Sequence, residues 1–162
     1  AKARPDDPAT HNNLGVIYAA RGRHDLAADA YARAIDLDPA SAAAWHNLGV
    51  ARGKLGDRRH AIEAYVHALG VDPSLAASHN NLAVLLTEQG DPSDRALQHA
   101  LEAIRLRPDS ANYHDTLASV YLRRGEINDA LRAARLATKL DPDDPSLRDT
   151  LNRALDAGTS TP

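Results

Sequence analysis

Between Ala9 and Leu37 the apolar residues Leu14, Ile17 and Tyr18, then Leu26, Tyr31 and Ile35, recur at helical spacing on either side of Gly22. The pattern returns along the chain with a fixed beat. Prolines stand at Pro5, Pro39, Pro73, Pro108 and Pro142, at intervals of 34, 34, 35 and 34, and glycines at Gly22, Gly56, Gly90 and Gly125, at intervals of 34, 34 and 35. Glycine takes the left-handed conformation that ends a helix and proline cannot continue one, so each period predicts two helices with a glycine turn between them and a proline turn after them. The spacing predicts helices over 8–20, 24–37, 42–54, 58–70, 76–89, 93–106, 110–123, 127–140 and 145–157. Asp7, Ser41, Ser110 and Asp144 stand where N-caps belong. Helices of this length are marginal alone, so their stability must come from stacking on neighbours.

Small residues recur where paired helices must touch: Gly15, Ala27 and Ala34, then Gly49, Ala61 and Ala68, then Ala83, Ala96 and Ala103, then Ala118, Ala130 and Ala137. A small side chain at fixed spacing implies the same close crossing in every unit. The single longer interval traces to GDPSDRA, Gly90 to Ala96, which holds one residue more than GDRRHA, Gly56 to Ala61. That residue belongs in the turn, with the next helix starting near Pro92 or Ser93. In the last segment Leu147, Leu151 and Leu155 are expected to face inward, and Arg148, Asp149, Arg153 and Asp156 outward, as in a closing helix. The other end shows no such lid. AKARPDD reads as the tail of a preceding unit, which makes the chain the expected C-terminal part of a longer array.

WHNLG at Trp45 to Gly49, followed by Ala61, Tyr65, Ala68 and Pro73, resembles the tetratricopeptide repeat pattern, and HNNLGVIY with Ala27, Tyr31, Ala34 and Pro39 is a second match. Departures stand at Arg52, in place of Tyr, at His11, His79 and His114, in place of Trp, and at Ala100 and Ala134, in place of the second-helix aromatic. The resemblance implies an all-α fold, a right-handed superhelix (α-solenoid) of four helix-turn-helix repeats, 6–39, 40–73, 74–108 and 109–142, closed by a capping helix at 145–157. The whole of 1–162 is expected to form one such domain.

The resemblance also implies a concave groove lined by the first helix of each repeat. Leu14 and Gly15 are expected to face into the stack, leaving Asn12, Asn13 and Val16 for the groove. At the same offsets lie His46, Asn47 and Val50, then Asn80, Asn81 and Val84, then Asp115, Thr116 and Ser119, with Lys54, Glu88 and Arg123 at the rim. Asn13, Asn47 and Asn81 form a ladder. An amide donates and accepts at once and can pair with a peptide backbone whatever its side chains. Packed helices lie about 8–10 Å apart and extended peptide advances about 3.3 Å per residue, so each rung would meet about every third residue. The alternative reading has these asparagines bonding to a neighbouring helix. The ladder resembles that of the O-linked N-acetylglucosamine transferases and of kinesin light chains. Members that hold a chaperone's C-terminal carboxylate use Lys and Asn in the first unit and Lys and Arg in the third. At those offsets this chain has Asn12 and Val16, then Ala77 and Asn81, with only Asn47 in place. An acidic EEVD-type peptide is therefore expected to bind no better than a neutral control.

Composition sharpens the picture by exclusion. With 43% hydrophobic residues but no Phe or Met, one Trp and five Tyr, the core must be aliphatic and largely alanine. The absence of Cys excludes a disulfide scaffold, a thiolate zinc site and a cysteine nucleophile. Nineteen Lys and Arg against 22 Asp and Glu, a net charge of −3, argue against a nucleic-acid footprint. No apolar run approaches the roughly 18 residues that span a bilayer, so no direct membrane insertion is expected. No two of the eight histidines have the three- or four-residue spacing that puts two ligands on one ion; His60 and His67 are two turns apart. His114, Asp115 and Ser119 are triad residue types, but adjacent helix residues diverge by about 100° and cannot form the relay. No phosphate-binding glycine string occurs. Arg123, Arg124, Arg132 and Arg135 read as solvated helix surface.

The expectation is a non-catalytic scaffold, with no cofactor and no metal, that binds a protein or peptide ligand in the groove. Two alternatives stay open: a substrate-recruiting arm of a larger enzyme such as a glycosyltransferase, and self-association through the uncapped N-terminal face. The compartment is not determined, with the cytoplasm slightly favoured.

Overall fold

The computed structural model describes residues 7–90 and 94–159. Among them the chain forms nine α helices and no strand: α1 (Pro8–Ala20), α2 (His24–Leu37), α3 (Ala42–Lys54), α4 (Arg58–Val71), α5 (Ala76–Gln89), α6 (Arg95–Leu106), α7 (Ala111–Arg124), α8 (Ile127–Leu140) and α9 (Pro145–Thr159). Observed and expected bounds agree within two residues. The expected start at Pro92 or Ser93, the Pro5 mark and the lead-in before Asp7 lie outside the described residues.

Two compact units divide the chain, 1–78 and 79–162. Within the first, α1 packs on α2, α2 on α3 and α3 on α4, and α1 also touches α3. Within the second, α6 packs on α7, α7 on α8 and α8 on α9, and α7 touches α9. Each unit thus repeats one arrangement, a helix against its partner and against the next first helix.

Local chemistry enforces these turns. Gly22, Gly56, Gly90 and Gly125 all have positive φ, between 70° and 78°. After three of them the next N–H, of Arg23, Asp57 and Glu126, bonds back to the carbonyls of Tyr18, Arg52 and Tyr121 at 2.9–3.0 Å. That is the Schellman closure a left-handed residue permits. At the proline turns, Asp38, Asp72 and Asp141 accept the N–H two residues on, from Ala40, Ser74 and Asp143. Asp7 caps α1 through the N–H of Ala9, Ser41 caps α3 through that of Ala44, and Asp144 accepts from Ser146 in α9. Ser110 occupies the N-cap position of α7 but makes no side-chain cap bond, contrary to expectation.

Alanine and glycine set the helix crossings. A Cβ built on Gly15 would lie 2.5 Å from the Tyr31 ring, and one on Gly49 2.7 Å from that of Tyr65. In the third and fourth repeats Ala83 and Ala118 replace the glycine, and Ala100 and Ala134 replace the tyrosine; all four are buried. The missing second-helix aromatic is therefore matched, in the same repeat, by a larger first-helix residue.

Two packing expectations need correction. Leu14 does not face into a stack: it is 37% exposed and Ile17 48%, whereas Leu82 and Val120, at the same register positions, are 0% and 2% exposed. In α7 this face meets the preceding second helix, α6; among the described residues no helix precedes α1. In α9 the inward stripe is Leu147, Thr150 and Ala154, not a line of leucines. Leu151 is half-buried and Leu155 exposed, while Arg153 is exposed as expected and donates to the Thr150 hydroxyl at 2.9 Å. A stripe spaced three and four residues apart follows the helix more closely than one spaced four and four.

Candidate functional site

Within residues 79–162 a cleft of about 390 Å³ is lined by Val84, Thr87 and Glu88 of α5, Asp115, Thr116, Ser119, Leu122 and Arg123 of α7, and Arg153 of α9. Six of these, Val84, Glu88, Asp115, Thr116, Ser119 and Arg123, hold the register positions singled out in the sequence. Val84 and Leu122 give it apolar walls, and two guanidinium groups and two carboxyl groups make it polar.

Within each unit, side chains at these register positions bond between neighbouring repeats. In the 1–78 unit, Asn47 donates from Nδ2 to the Asn12 Oδ1 at 3.1 Å. The ladder amide thus does bond to the neighbouring repeat. Asn12 is half-buried, while Asn13 and Val16 are exposed and Val50 is half-buried. His46, at the Asn12 register, is bonded through Nδ1 to the buried Ser78 hydroxyl at 2.7 Å and lies tilted on Tyr65. Burial holds its imidazole pKa below the ordinary value. Lys54 is exposed at the end of α3.

In the 79–162 unit the same register positions have different occupants. The Asp115 carboxyl bonds to Thr150, which holds the ladder register in α9. Since the Thr150 hydroxyl accepts from Arg153, its one proton goes to Asp115. The Asp115 Oδ1 is nevertheless buried without a partner, as is the Asn80 Oδ1. For Asn80 the reason is local: Thr116 stands where an asparagine would carry the donating amide. Burial pushes the Asp115 pKa up; the Thr150 bond and the Arg153 charge work against it. Asn81 and Val84 are half-buried on α5, and Glu88 and Arg123 are exposed at the cleft edge.

The remaining candidate chemistry is absorbed by packing. Trp45 donates from Nε1 to the Pro39 carbonyl at 2.9 Å, and His114, in the same aromatic slot two repeats later, bonds through Nε2 to the Pro108 carbonyl at 2.8 Å. His67 stacks on Trp45 and His60 pairs with Asp57. Arg124 is paired with Asp94 and Glu126, and Arg132 with Asp129. One pairing lay outside the sequence reading. The Nδ1 atoms of His79 and His99 lie 2.9 Å apart. Its only signal is that His99 breaks a column that is otherwise Ala30, Ala64 and Ala133. Among the described residues no group of three or more His, Cys, Asp or Glu could hold a metal ion, and no helix is long and apolar enough to cross a membrane.

Comparison with known proteins bears on family and fold. A TPR repeat model matches residues 17–56 and a tetratricopeptide repeat model matches 46–111. No curated protein matches the chain significantly. Among solved structures, MamA is similar with a TM-score of 0.83 at 21% identity, covering 94% of this chain and 82% of its own. PilF of Pseudomonas aeruginosa is similar with a TM-score of 0.81 at 27% identity, covering 94% and 69%. YrrB, described as a TPR protein with an unusual peptide-binding site, is similar with a TM-score of 0.76 at 17% identity, covering 96% and 88%. In all, 286 solved chains match, too many for likeness of fold to single out a partner. The likeness shows an all-α solenoid of helix pairs, and together with repeat models spanning residues 17–111 it places the chain in the tetratricopeptide repeat family.

Proposed function

We propose that this chain is a protein-interaction scaffold that holds a peptide segment of a partner protein against the first helices of its repeats. The observation that carries the reading is the cleft of residues 79–162, where six first-helix register positions line one cavity. In this reading Asn13, Asn47 and Asn81 pair with the peptide backbone. Because the Asn47 amide nitrogen is bonded to Asn12, its carbonyl oxygen is the group that meets a peptide N–H. Val16, Val50 and Val84 give an apolar floor. Asn12, His46, Asn80, Asp115, Thr116 and Ser119 set selectivity, with Lys54, Glu88 and Arg123 at the rim. The match to YrrB supports peptide binding as a use of the fold.

The test is a selection of displayed peptides on the immobilised chain. Binding of the enriched peptides should be lost with Ser119→Trp, which fills the cleft, and kept with Arg135→Ala on the exposed face of α8. Peptides indifferent to Ser119→Trp would move binding away from this site.

A second reading, association of two copies through α1, is favoured by the exposure of Leu14, Val16 and Ile17 together. It requires sedimentation to show a dimer that Ile17→Lys abolishes; a monomer at high concentration sinks it.

A further inference from the structure

Two apolar surfaces lack a partner among the described residues, and register says what each is shaped to meet. In the 1–78 unit, Leu48 and Ala51 of α3 pack in one cluster with Ala28 and Tyr31 of α2. Leu14 and Ile17 hold those two positions in α1 and are exposed. The α1 face is therefore built to lie on a second helix, as α3 lies on α2.

The other surface belongs to the 79–162 unit. A hollow of about 490 Å³ opens between Ile127 and Leu131 of α8 and Leu155 and Gly158 of α9. A Cβ on Gly158 would stand 3.5 Å from the Ile127 Cγ2 and 4.0 Å from the Leu131 Cδ1; with no side chain there, the hollow stays open over both. Leu131 holds the register of Ala28, the α2 residue that clusters with Leu48 and Ala51. Leu155 holds that of Tyr18, which packs on α2 in the same cluster. Leu155 is nevertheless exposed, and among the described residues no helix follows α9. Each wall thus repeats a position that a packed helix covers elsewhere in the chain.

Charge fits the same pairing. Of the charged residues next in sequence to the lining, Glu126, Asp129 and Asp156 are acidic and Arg124 and Arg132 basic. Arg124 is shared with a further acid, Asp94, which leaves the rim acidic on balance. Arg153 is engaged with Thr150 in the other cleft, and Arg135 stands a turn beyond Leu131. From Pro8 to Ala20 α1 has no acidic residue, and the exposed Arg21 follows Ile17 by one turn on the same face.

We infer that copies of this chain join head to tail: the Leu14 and Ile17 face of α1 in one copy seats in the α8–α9 hollow of another, with Arg21 against the acidic rim. The inference rests on the self-association reading above and names the surface that α1 meets. Each pairing leaves one α1 face and one hollow free, so the contact is heterologous, and copies add in an open row or close into a ring.

Sedimentation velocity of the full chain from micromolar to millimolar concentration should show species that grow with concentration. Ile17→Lys and Leu155→Lys, both at exposed positions and checked for folding by circular dichroism, should each weaken association by about thirtyfold or more, the loss expected for a central apolar anchor. Mixed one to one, the two variants should form a dimer and nothing larger, because one supplies the intact hollow and the other the intact α1 face. The chain has no cysteine, which permits a second measurement: Ile17→Cys and Leu155→Cys copies should cross-link to each other under oxidation, and neither to itself. Full association of Leu155→Lys, or an Ile17→Cys copy that cross-links to itself, overturns the inference and leaves association through α1 standing. A mixture of the two lysine variants that stays monomeric also overturns it. Association that ignores Ile17→Lys, or a parent chain monomeric at millimolar concentration, defeats the underlying reading and this one with it.

Discussion

Gly49→Ala tests the helix crossing most directly. The added Cβ would lie 2.7, 2.8 and 3.0 Å from the Cε1, Cδ1 and Cζ of Tyr65. Carbon contacts settle at about 3.5–4.0 Å, so the ring must retreat by close to an ångström. Tyr65 is 3% exposed, with the His46 ring at 5.6 Å, and has little room to do so. Overpacking of this kind costs about 1–3 kcal/mol, against a gain of about 1 kcal/mol for replacing glycine within a helix. The single variant should be destabilised by about 1 kcal/mol near the middle of that range. Tyr65→Ala alone should cost about 3–5 kcal/mol. In that background Gly49→Ala should become stabilising by up to about 1 kcal/mol, since the obstacle has gone. The double variant then carries alanine at both positions, as the third repeat does with Ala83 and Ala100. Urea unfolding of all four proteins by far-ultraviolet circular dichroism gives the cycle. Equal effects of Gly49→Ala in both backgrounds would refute the crossing described here.

Three further outcomes are expected. Burial first, then the charges of His79 and Arg95, lower the His99 pKa below 6.5. The unfolded chain then binds more protons, and stability falls as pH drops through about 6.5 until the folded-state value is passed; thermal melts of His99→Ala should lose that slope. Asp115 is the opposite case. Its folded pKa is raised above 3.8, so its contribution is full below the unfolded value and is lost as pH rises through the folded one. Asp115→Asn should melt higher than the parent at neutral pH, and the gap should close below about pH 3.8. Leu82→Ala should cost about 2–5 kcal/mol while Leu14→Ala, at the same register, costs below about 1 kcal/mol, measured by chemical unfolding; equal costs would mean that the α1 face is covered.

The periodic punctuation made the helices legible because Gly and Pro act locally, through backbone conformation alone. The positions lining the cleft were legible for a related reason: register on a first helix is inherited from the repeat. Orientation toward a neighbour was not. Leu14 carries the same sequence signal as Leu117, which is 8% exposed on a helix that packs against the preceding α6, whereas among the described residues no helix precedes α1. The Asn47 to Asn12 bond was open in the sequence because an asparagine has the same chemistry toward a peptide and toward the next repeat. His79 and His99, twenty residues apart on different helices, meet through packing that no local spacing encodes. Arg153 is exposed, as its charge implies, but its bond to the Thr150 hydroxyl is one that charge alone does not encode.

The matching of Gly15 and Gly49 to tyrosine, and of Ala83 and Ala118 to alanine, also bears on how such arrays can be shuffled by recombination. A crossover in a proline turn moves both members of a pair together, and every repeat so exchanged keeps a compatible contact. A crossover in a glycine turn can graft the first helix of one repeat onto the second helix of another, leaving either an alanine against a tyrosine or a hole between a glycine and an alanine. The tolerated unit of exchange in this chain is the helix pair, with its seams at the prolines.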